Sequence, residues 1–245
     1  MQAQRDVLFS VESRAVGDFN FGEQTAEVFD DMLDRSIPMY RELQRMIGEI
    51  AGEFAAEGTN VYDLGCSTGI TLETLHLAVS AGTTLVGLDY SEPMLERARQ
   101  RFQPLIASSR MRLDHADLNR GCVVENASVV VLNLTLQFIR PLYRDSLMRQ
   151  IAAGLNDNGV LILVEKVLAA DSTINRQFIK FYYDMKRRNG YDEMEIAQKR
   201  EALENVLIPY RVEENVELLK RSGLRDVETF FRWYNFCGFV AVKRA

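Results

Sequence analysis

The chain has 245 residues, of which 47% are hydrophobic and 26% are charged, so it can bury a sizeable core as ordinary globular proteins do. Its formal net charge of −6 argues against direct binding of nucleic acid, because such binders usually present a basic surface. The sequence has no apolar run of about 18 residues that could cross a membrane, and residues 1–6 have no apolar segment of the signal-peptide type. We therefore expect a cytoplasmic protein without membrane contact.

The first 57 residues predict a helical extension. Apolar residues recur at intervals of three and four in two segments, 23–33 and 38–54. Ser36 precedes the second segment and is expected to be its N-cap, and Pro38 suits a first helical turn.

Residues 58–168 alternate between the patterns of strands and helices and predict a nucleotide-binding core. The predicted strands are residues 61–64, 84–88, 111–115, 128–132 and 160–164, and the predicted helices are 71–79, 92–102 and 144–155. Ser91 is expected to cap the second of these helices, with Pro93 in its first turn. Such alternation implies a mostly parallel, doubly wound sheet that binds ligands at the carboxyl ends of its strands.

The last part of the chain predicts a helical insertion and then a strand pair. Helical patterns cover residues 174–186 and 191–205 within an insertion at 169–210, and a further helix covers 213–222. Two strand patterns, 227–233 and 236–242, are separated only by Tyr234 and Asn235, which predicts an antiparallel edge on the sheet. We expect these parts to form one domain over residues 1–245.

A glycine-containing turn follows the first predicted strand, with the sequence Asp-Leu-Gly-Cys-Ser-Thr-Gly at residues 63–69. Gly65 and Gly69 would let the backbone approach a ligand closely. Asp89 ends the next strand, 24 residues after Gly65, which is close to the spacing at which an acid meets a ribose diol. Asp63 would either receive a ligand ammonium group or order the loop through backbone N–H groups. Together these residues predict an adenosine-type ligand.

Two further positions extend this site along the same edge of the sheet. Asp117 and Leu118 follow the third strand and resemble the acid and apolar pair that holds an adenine ring. Asn133 follows the apolar fourth strand, where a polar side chain would point at the ligand. A surface aspartate and a strand-capping amide remain the alternatives for Asp117 and Asn133.

These motifs resemble the Rossmann-like fold of class I S-adenosyl-L-methionine-dependent methyltransferases. A closer resemblance, to the carboxy-S-adenosyl-L-methionine synthase family, covers nearly the whole chain. It rests on residues 5–10, 26–29, 61–67, 133–138, 189–191, 198–200 and 203–206. The family commonly has a bulky apolar residue where Thr68 stands here and an asparagine where Tyr90 stands.

The resemblance implies a reaction and a set of binding residues. The family transfers a carboxyl group from prephenate to the methyl group of S-adenosyl-L-methionine, which gives carboxy-S-adenosyl-L-methionine and phenylpyruvate. A partner enzyme, a tRNA uridine carboxymethyltransferase, uses the former to modify the wobble uridine of tRNA. The resemblance also implies a homodimer. The implied ligand contacts are Tyr40, Gly65, Cys66, Ser67, Asp89, Tyr90, Asp117, Leu118, Asn133 and Arg200.

Arg200 suits the added carboxylate of such a product, because guanidinium matches carboxylate geometry. The alternative is an exposed helical arginine that pairs with Glu204 at i+4. The sequence leaves open whether Arg200 reaches its own site or that of a neighbouring subunit. A basic run, Lys186-Arg187-Arg188, would either meet the carboxylates of prephenate or form a solvated helix end.

The sequence offers few candidates for a general base or a metal site. His76 lies on the first crossover helix and is expected to have a packing role, whereas His115 lies near Asp117. The three cysteines, Cys66, Cys122 and Cys237, have no spacing typical of disulfides or metal ligands, so we expect reduced thiols and no metal. Two alternative functions remain: an ordinary small-molecule methyltransferase and a non-catalytic module that binds the carboxylated cofactor.

Overall fold

The protein forms an α/β sandwich around one mixed sheet. The computed structural model describes residues 4–12 and 16–244. The strands within these ranges are β1 (Asn60–Leu64), β2 (Thr84–Asp89), β3 (Met111–His115), β4 (Ala127–Asn133), β5 (Leu155–Leu168), β6 (Tyr210–Arg211), β7 (Asp226–Trp233) and β8 (Phe236–Val242). The α-helices are α1 (Glu23–Ser36), α2 (Tyr40–Phe54), α3 (Ile70–Ala78), α4 (Glu92–Arg101), α5 (Gln103–Ala107), α6 (Pro141–Gly154), α7 (Ser172–Arg188), α8 (Glu193–Leu203) and α9 (Val212–Arg221).

The sheet confirms the predicted fold class. Its strand order is β3-β2-β1-β4-β5-β8-β7, and β1 to β5 run parallel. Strand β8 pairs antiparallel with both β5 and β7, which gives the predicted antiparallel edge. The short β6 pairs with the end of β5. The order reverses between β1 and β4, so a crevice opens at their carboxyl ends.

Helices cover both faces of the sheet, which is why the central strands are apolar throughout. In β5, Val160, Ile162 and Val164 face the layer that contains α2, α3 and α7. Leu161 and Leu163 alternate with them and face the layer that contains α6 and α9. A strand buried on both faces reads as a continuous apolar run, as the sequence indicated.

Several predicted boundaries are wrong for identifiable reasons. Ser36 does not cap α2 but ends α1, and α2 begins at Tyr40 after Met39 adopts a left-handed conformation with φ of 51°. The predicted helix 92–102 is confirmed as α4, which ends one residue earlier, and the short α5 that follows it was not predicted. Residues 156–159, which have the composition of a turn, lie within β5. The Ser91 cap is confirmed, since its hydroxyl accepts a hydrogen bond from the Met94 N–H.

The N-terminal segment is hydrogen-bonded to the helical insertion. Gln198 on α8 donates from Nε2 to the carbonyls of Phe9 and Val11. The hydroxyl of Tyr191 donates to the Asp6 carboxylate at 2.5 Å. These bonds bring the first described residues and the insertion over the carboxyl edge of the sheet. No helix in residues 4–12 and 16–244 has the length and apolar character needed to span a bilayer.

Gly69 provides a test of how the turn and the core fit together. Its φ is +90°, and a Cβ there would lie 2.4 Å from the ring of Phe102. We predict that Gly69→Ala lowers the free energy of unfolding by about 2–4 kcal/mol, because backbone strain and overpacking add. The measurement is urea denaturation of the purified variant.

Gly223→Ala is the matched control, because Gly223 has φ of +102° but no atom within 4 Å of the added Cβ. Gly223→Ala should lower the free energy of unfolding by about 1–2 kcal/mol, because it adds backbone strain alone. Equal losses for the two variants would contradict the packing part of this account.

Candidate active site

A cavity lies at the carboxyl edge of the sheet, beneath the N-terminal extension and the helical insertion. Nine of the eleven residues that the sequence singled out for ligand binding line it, namely Tyr40, Gly65, Cys66, Ser67, Asp89, Tyr90, Asp117, Leu118 and Asn133. Asp63 lies buried beside this wall, and Arg200 is exposed on α8, away from the cavity of its own chain. The structure therefore brings most of the predicted site together and leaves Arg200 outside it.

The turn after β1 has the geometry that its glycines predicted. Gly65 has φ of +81°, and a Cβ there would lie 2.5 Å from the side chain of Thr135. The Gly65 N–H donates to the Leu88 carbonyl at 2.7 Å, which ties the turn to the end of β2. Ser67 also has a positive φ, 49°. The turn thus exposes backbone at the cavity wall, where a side chain would block it.

Asp89 holds this turn in place. One carboxylate oxygen accepts the Ser67 N–H at 2.9 Å, and the other accepts the Ser91 N–H at 2.8 Å. Burial raises the pKa of Asp89, and these backbone N–H bonds oppose the rise. The loop-ordering role that was one alternative for Asp63 therefore belongs to Asp89. Each oxygen keeps a further lone pair that can accept a ligand hydroxyl.

Asp63 is the unpaired carboxylate of the site. The side chain is 1% exposed, and its Oδ2 atom has no hydrogen-bond partner among the described residues. Burial, and then the charge of Asp89, raise the pKa of Asp63 to about 8. A buried carboxylate without a partner is costly, so a cationic ligand group next to it would be favourable.

The other two polar positions differ in how far they are already paired. Asp117 accepts hydrogen bonds from the backbone and side chain of Asn119 at 3.0 and 3.1 Å. Asn133 donates from Nδ2 to the Thr71 hydroxyl at 3.1 Å. Its Oδ1 atom is buried without a partner among the described residues. Asn133 therefore has a free acceptor at the cavity, as the ligand-facing interpretation requires.

The sequence did not identify the aromatic wall of the cavity. Phe21 lines the cavity. Its ring makes edge contacts with Tyr90, with ring centroids 6.1 Å apart, and with Phe138 at 5.2 Å. Phe19, Tyr182 and Phe236 also line the cavity. These rings come from distant segments, so no local pattern could group them. They exclude water from the site, which strengthens the electrostatic interactions within it.

The sequence did not identify two lysines in the wall either. Lys166, near the end of β5, and Lys199, on α8, both line the cavity. Burial lowers the pKa of each to about 8, although Asp6 opposes the shift for Lys199. One signal was available for Lys166, because it follows the apolar run of β5. For α8, the structure turns Lys199 into the cavity and its neighbour Arg200 outward.

The sequence allows two interpretations of the basic run 186–188, a contact to the carboxylates of prephenate or a solvated helix end, and the residues of the run differ in this respect. Lys186 is buried, whereas Arg187 and Arg188 are exposed. Arg187 pairs with Asp184 at 2.6 Å and with Glu193 at 2.5 Å, which is the solvated helix end that the sequence suggested. Only Lys186 points inward, so the run does not act as a unit.

Among the described residues, the cavity contains neither histidine. His76 is half-buried on α3, and His115 is exposed. The three cysteines are unpaired, and Cys66 lies in the cavity wall, where burial raises its pKa well above the usual range. Within residues 4–12 and 16–244, no group of three or more potential metal ligands is assembled.

Comparisons with known proteins agree with this geometry. A family model described as a methyltransferase domain matches residues 62–161. A carboxy-S-adenosyl-L-methionine synthase from Methylococcus capsulatus is 56% identical over 98% of this chain and 99% of its own. The protein of that name from Desulfotalea psychrophila is 43% identical over 99% of both chains.

Solved structures support the fold independently. An O-methyltransferase family protein from Burkholderia thailandensis superposes with a TM-score of 0.66 at 15% identity, covering 95% of this chain and 66% of its own. A methyltransferase from Methanococcus maripaludis gives 0.63 at 16% identity, covering 95% and 98%. Relatives of that name at 56% and 43% identity match nearly the whole of this chain. Together with the fold and the cavity, they show that the chain is a transferase of the carboxy-S-adenosyl-L-methionine synthase family.

Proposed function

We propose that the enzyme transfers a carboxyl group from prephenate to the methyl group of S-adenosyl-L-methionine. The products would be carboxy-S-adenosyl-L-methionine and phenylpyruvate. The observation that carries the proposal is the unequal charge along the cavity. Asp63, Asp89 and Asp117 lie where the cationic cofactor would bind. Lys166 and Lys199 line the same cavity, and Lys166 lies one strand beyond Asn133. A methyl transfer to a neutral acceptor needs no buried cations there, but an anionic carboxyl donor does.

The cofactor would take the acidic part of the cavity. Its amino group would pair with Asp63, whose buried oxygen has no partner. Its ribose hydroxyls would reach the remaining lone pairs of Asp89, and its adenine would lie against Leu118 with Asp117 at the exocyclic amine. Tyr40, Gly65, Cys66 and Ser67 would surround the methionine part, and Tyr90 would cover the ribose.

The reaction balances without a base from the protein. Prephenate loses carbon dioxide and hydroxide as its ring becomes aromatic, which gives phenylpyruvate. The hydroxide removes a proton from the sulfonium methyl group and becomes water. The resulting ylide carbon attacks carbon dioxide and forms the new C–C bond. The histidine-free lining of the cavity is compatible with this sequence of steps, since the substrate itself supplies the base.

Arg200 would complete the site from a second subunit. It is exposed on α8 and lies outside the lining of its own cavity. We propose a homodimer in which Arg200 of one subunit binds the new carboxylate in the other. The product would then pass, within the cytoplasm, to a tRNA uridine carboxymethyltransferase that modifies wobble uridine.

The reaction itself is the first test. Incubation of the enzyme with S-adenosyl-L-methionine and prephenate should give a nucleoside product heavier by one carboxyl group, detected by mass spectrometry. Many turnovers per protein molecule would exclude the non-catalytic carrier. A protein that binds the cofactor but yields no carboxylated product would refute the proposal and favour the ordinary methyltransferase.

Arg200→Leu tests the role of the exposed arginine. Because a charge-assisted pair is lost, the affinity for carboxy-S-adenosyl-L-methionine should fall about 10- to 100-fold. The affinity for S-adenosyl-L-methionine should fall much less. Calorimetric titration of both ligands measures this difference. Equal losses for the two ligands would count against binding of the added carboxylate.

A mixed dimer shows whose cavity Arg200 serves. Arg200→Leu and Asp63→Asn chains, each of low activity alone, should regain activity when co-expressed, because one of the two cavities then has both intact residues. Absence of recovery in a confirmed mixed dimer would place Arg200 in its own subunit's site.

Asp63 should make cofactor binding depend on pH. Its pKa of about 8 means that the carboxylate forms only as pH rises towards that value. The affinity for S-adenosyl-L-methionine should therefore rise about tenfold from pH 6 to pH 7, where the ligand amine stays protonated. Calorimetry of Asp63→Asn should give weaker binding with a flat profile. The same slope in both proteins would show that another group is responsible.

A further inference from the structure

Three lysines from three separate elements meet around two tyrosine rings. Lys166 comes from β5 and is half-buried, whereas Lys186 from α7 and Lys199 from α8 are buried. The Lys166 and Lys186 ammonium groups lie 4.8 and 5.4 Å from the centre of the Tyr182 ring. Lys186 and Lys199 lie 5.5 and 5.3 Å from the centre of the Tyr191 ring. We call these three residues the lysine cluster.

The negative charge around the lysine cluster does not balance it. Asp6 is the carboxylate within ion-pair distance, with its Oδ2 atom 3.5 Å from Lys199 Nζ. Among the residues that the structure describes, no carboxylate lies within 4.0 Å of Lys166 or Lys186. Asp6 already accepts the Tyr191 hydroxyl at 2.5 Å. Within the described part of the chain, the cluster therefore has three ammonium groups and one carboxylate within ion-pair distance of them.

Neighbouring charged groups do not remove this excess. Arg35 lies 3.9 Å from the Tyr191 ring centre and adds a further cation, which pairs with Asp31 at 3.3 Å. Glu195 is buried nearby, but its Oε2 atom accepts the Asp192 N–H at 2.8 Å as part of a helix cap. Buried cations without counter-ions are costly unless a ligand supplies the charge.

The position of the lysine cluster indicates which ligand this is. Lys166, Lys199 and the Tyr182 ring line the same cavity as the cofactor residues. Lys166 follows Val164, which pairs with Asn133 across β4 and β5. The cluster thus lies one strand beyond the cofactor residues, on the side away from Asp89 and Asp117. An anion held there would lie beside the cofactor and not in its place.

We propose that the lysine cluster is the subsite that binds a carboxylate of the carboxyl donor, with Lys166 and Lys199 in contact with it and Lys186 behind them. This inference rests on the proposed carboxyl transfer. Ser36, which accepts a hydrogen bond from Lys199 Nζ at 3.2 Å, and Tyr191 position Lys199 at the wall. Burial lowers the pKa of all three lysines, and a bound carboxylate would favour their charged forms.

Lys166→Met is the main test, because it removes the charge, keeps the length of the side chain and leaves no ion pair broken. The KM for prephenate should rise about 10- to 100-fold, while the dissociation constant for S-adenosyl-L-methionine should stay within about twofold. Lys199→Met should act in the same direction but also removes the ion pair with Asp6. Lys180→Met, on the exposed face of α7, is the matched control and should change neither constant.

A binding measurement separates this inference from the proposed reaction. Calorimetric titration with malonate, a simple dicarboxylate, should give binding to wild type and Lys180→Met that is at least tenfold weaker in Lys166→Met. That result, in an enzyme that makes no carboxylated product, would retain the subsite and reject the reaction. Carboxyl transfer with unchanged prephenate KM and unchanged malonate binding in Lys166→Met would overturn the subsite.

Discussion

The burial of charged side chains at one edge of the sheet is the constraint on which the site depends. Asp63 and Asp89 are buried at the ends of β1 and β2, and half-buried Lys166 lies near the end of β5. Removing any of these charges from water without a partner would be unfavourable in free energy. Asp89 is compensated by backbone N–H groups of the turn. Asp63 and Lys166 have no equivalent partner, so a ligand is the natural source of their counter-charges.

Two ligands of opposite charge satisfy this arrangement better than one. A sulfonium cofactor with an amino group matches the carboxylates at β1 to β3, and an organic dianion matches the ammonium groups beside β5. The order of strands in the sheet places these two regions side by side, with Asn133 of β4 between them. The N-terminal extension, the insertion and their aromatic side chains cover both regions and limit access of water.

The sequence predicted those features that local patterns encode. The apolar runs predicted the strands. The turn at 63–69 and Asp89 predicted the cofactor region, because the turn and Asp89 lie in one βαβ unit. It could not predict the lysine cluster, because Lys166, Lys186 and Lys199 come from segments that only the tertiary fold brings together. The same applies to Phe21, whose ring contacts that of Phe138 in the cavity wall. Ser36 was misread as a helix cap because its partners, Tyr191 and Lys199, are distant in sequence.

Isotope transfer tests the central claim most directly. Prephenate labelled with ¹³C in its ring carboxylate would be incubated with the enzyme and S-adenosyl-L-methionine, and the product examined by mass spectrometry and NMR. The account predicts that the label appears in the new carboxylate attached to the former methyl carbon. An unlabelled carboxylate, drawn from bicarbonate in the medium, or a product with a transferred methyl group would contradict it.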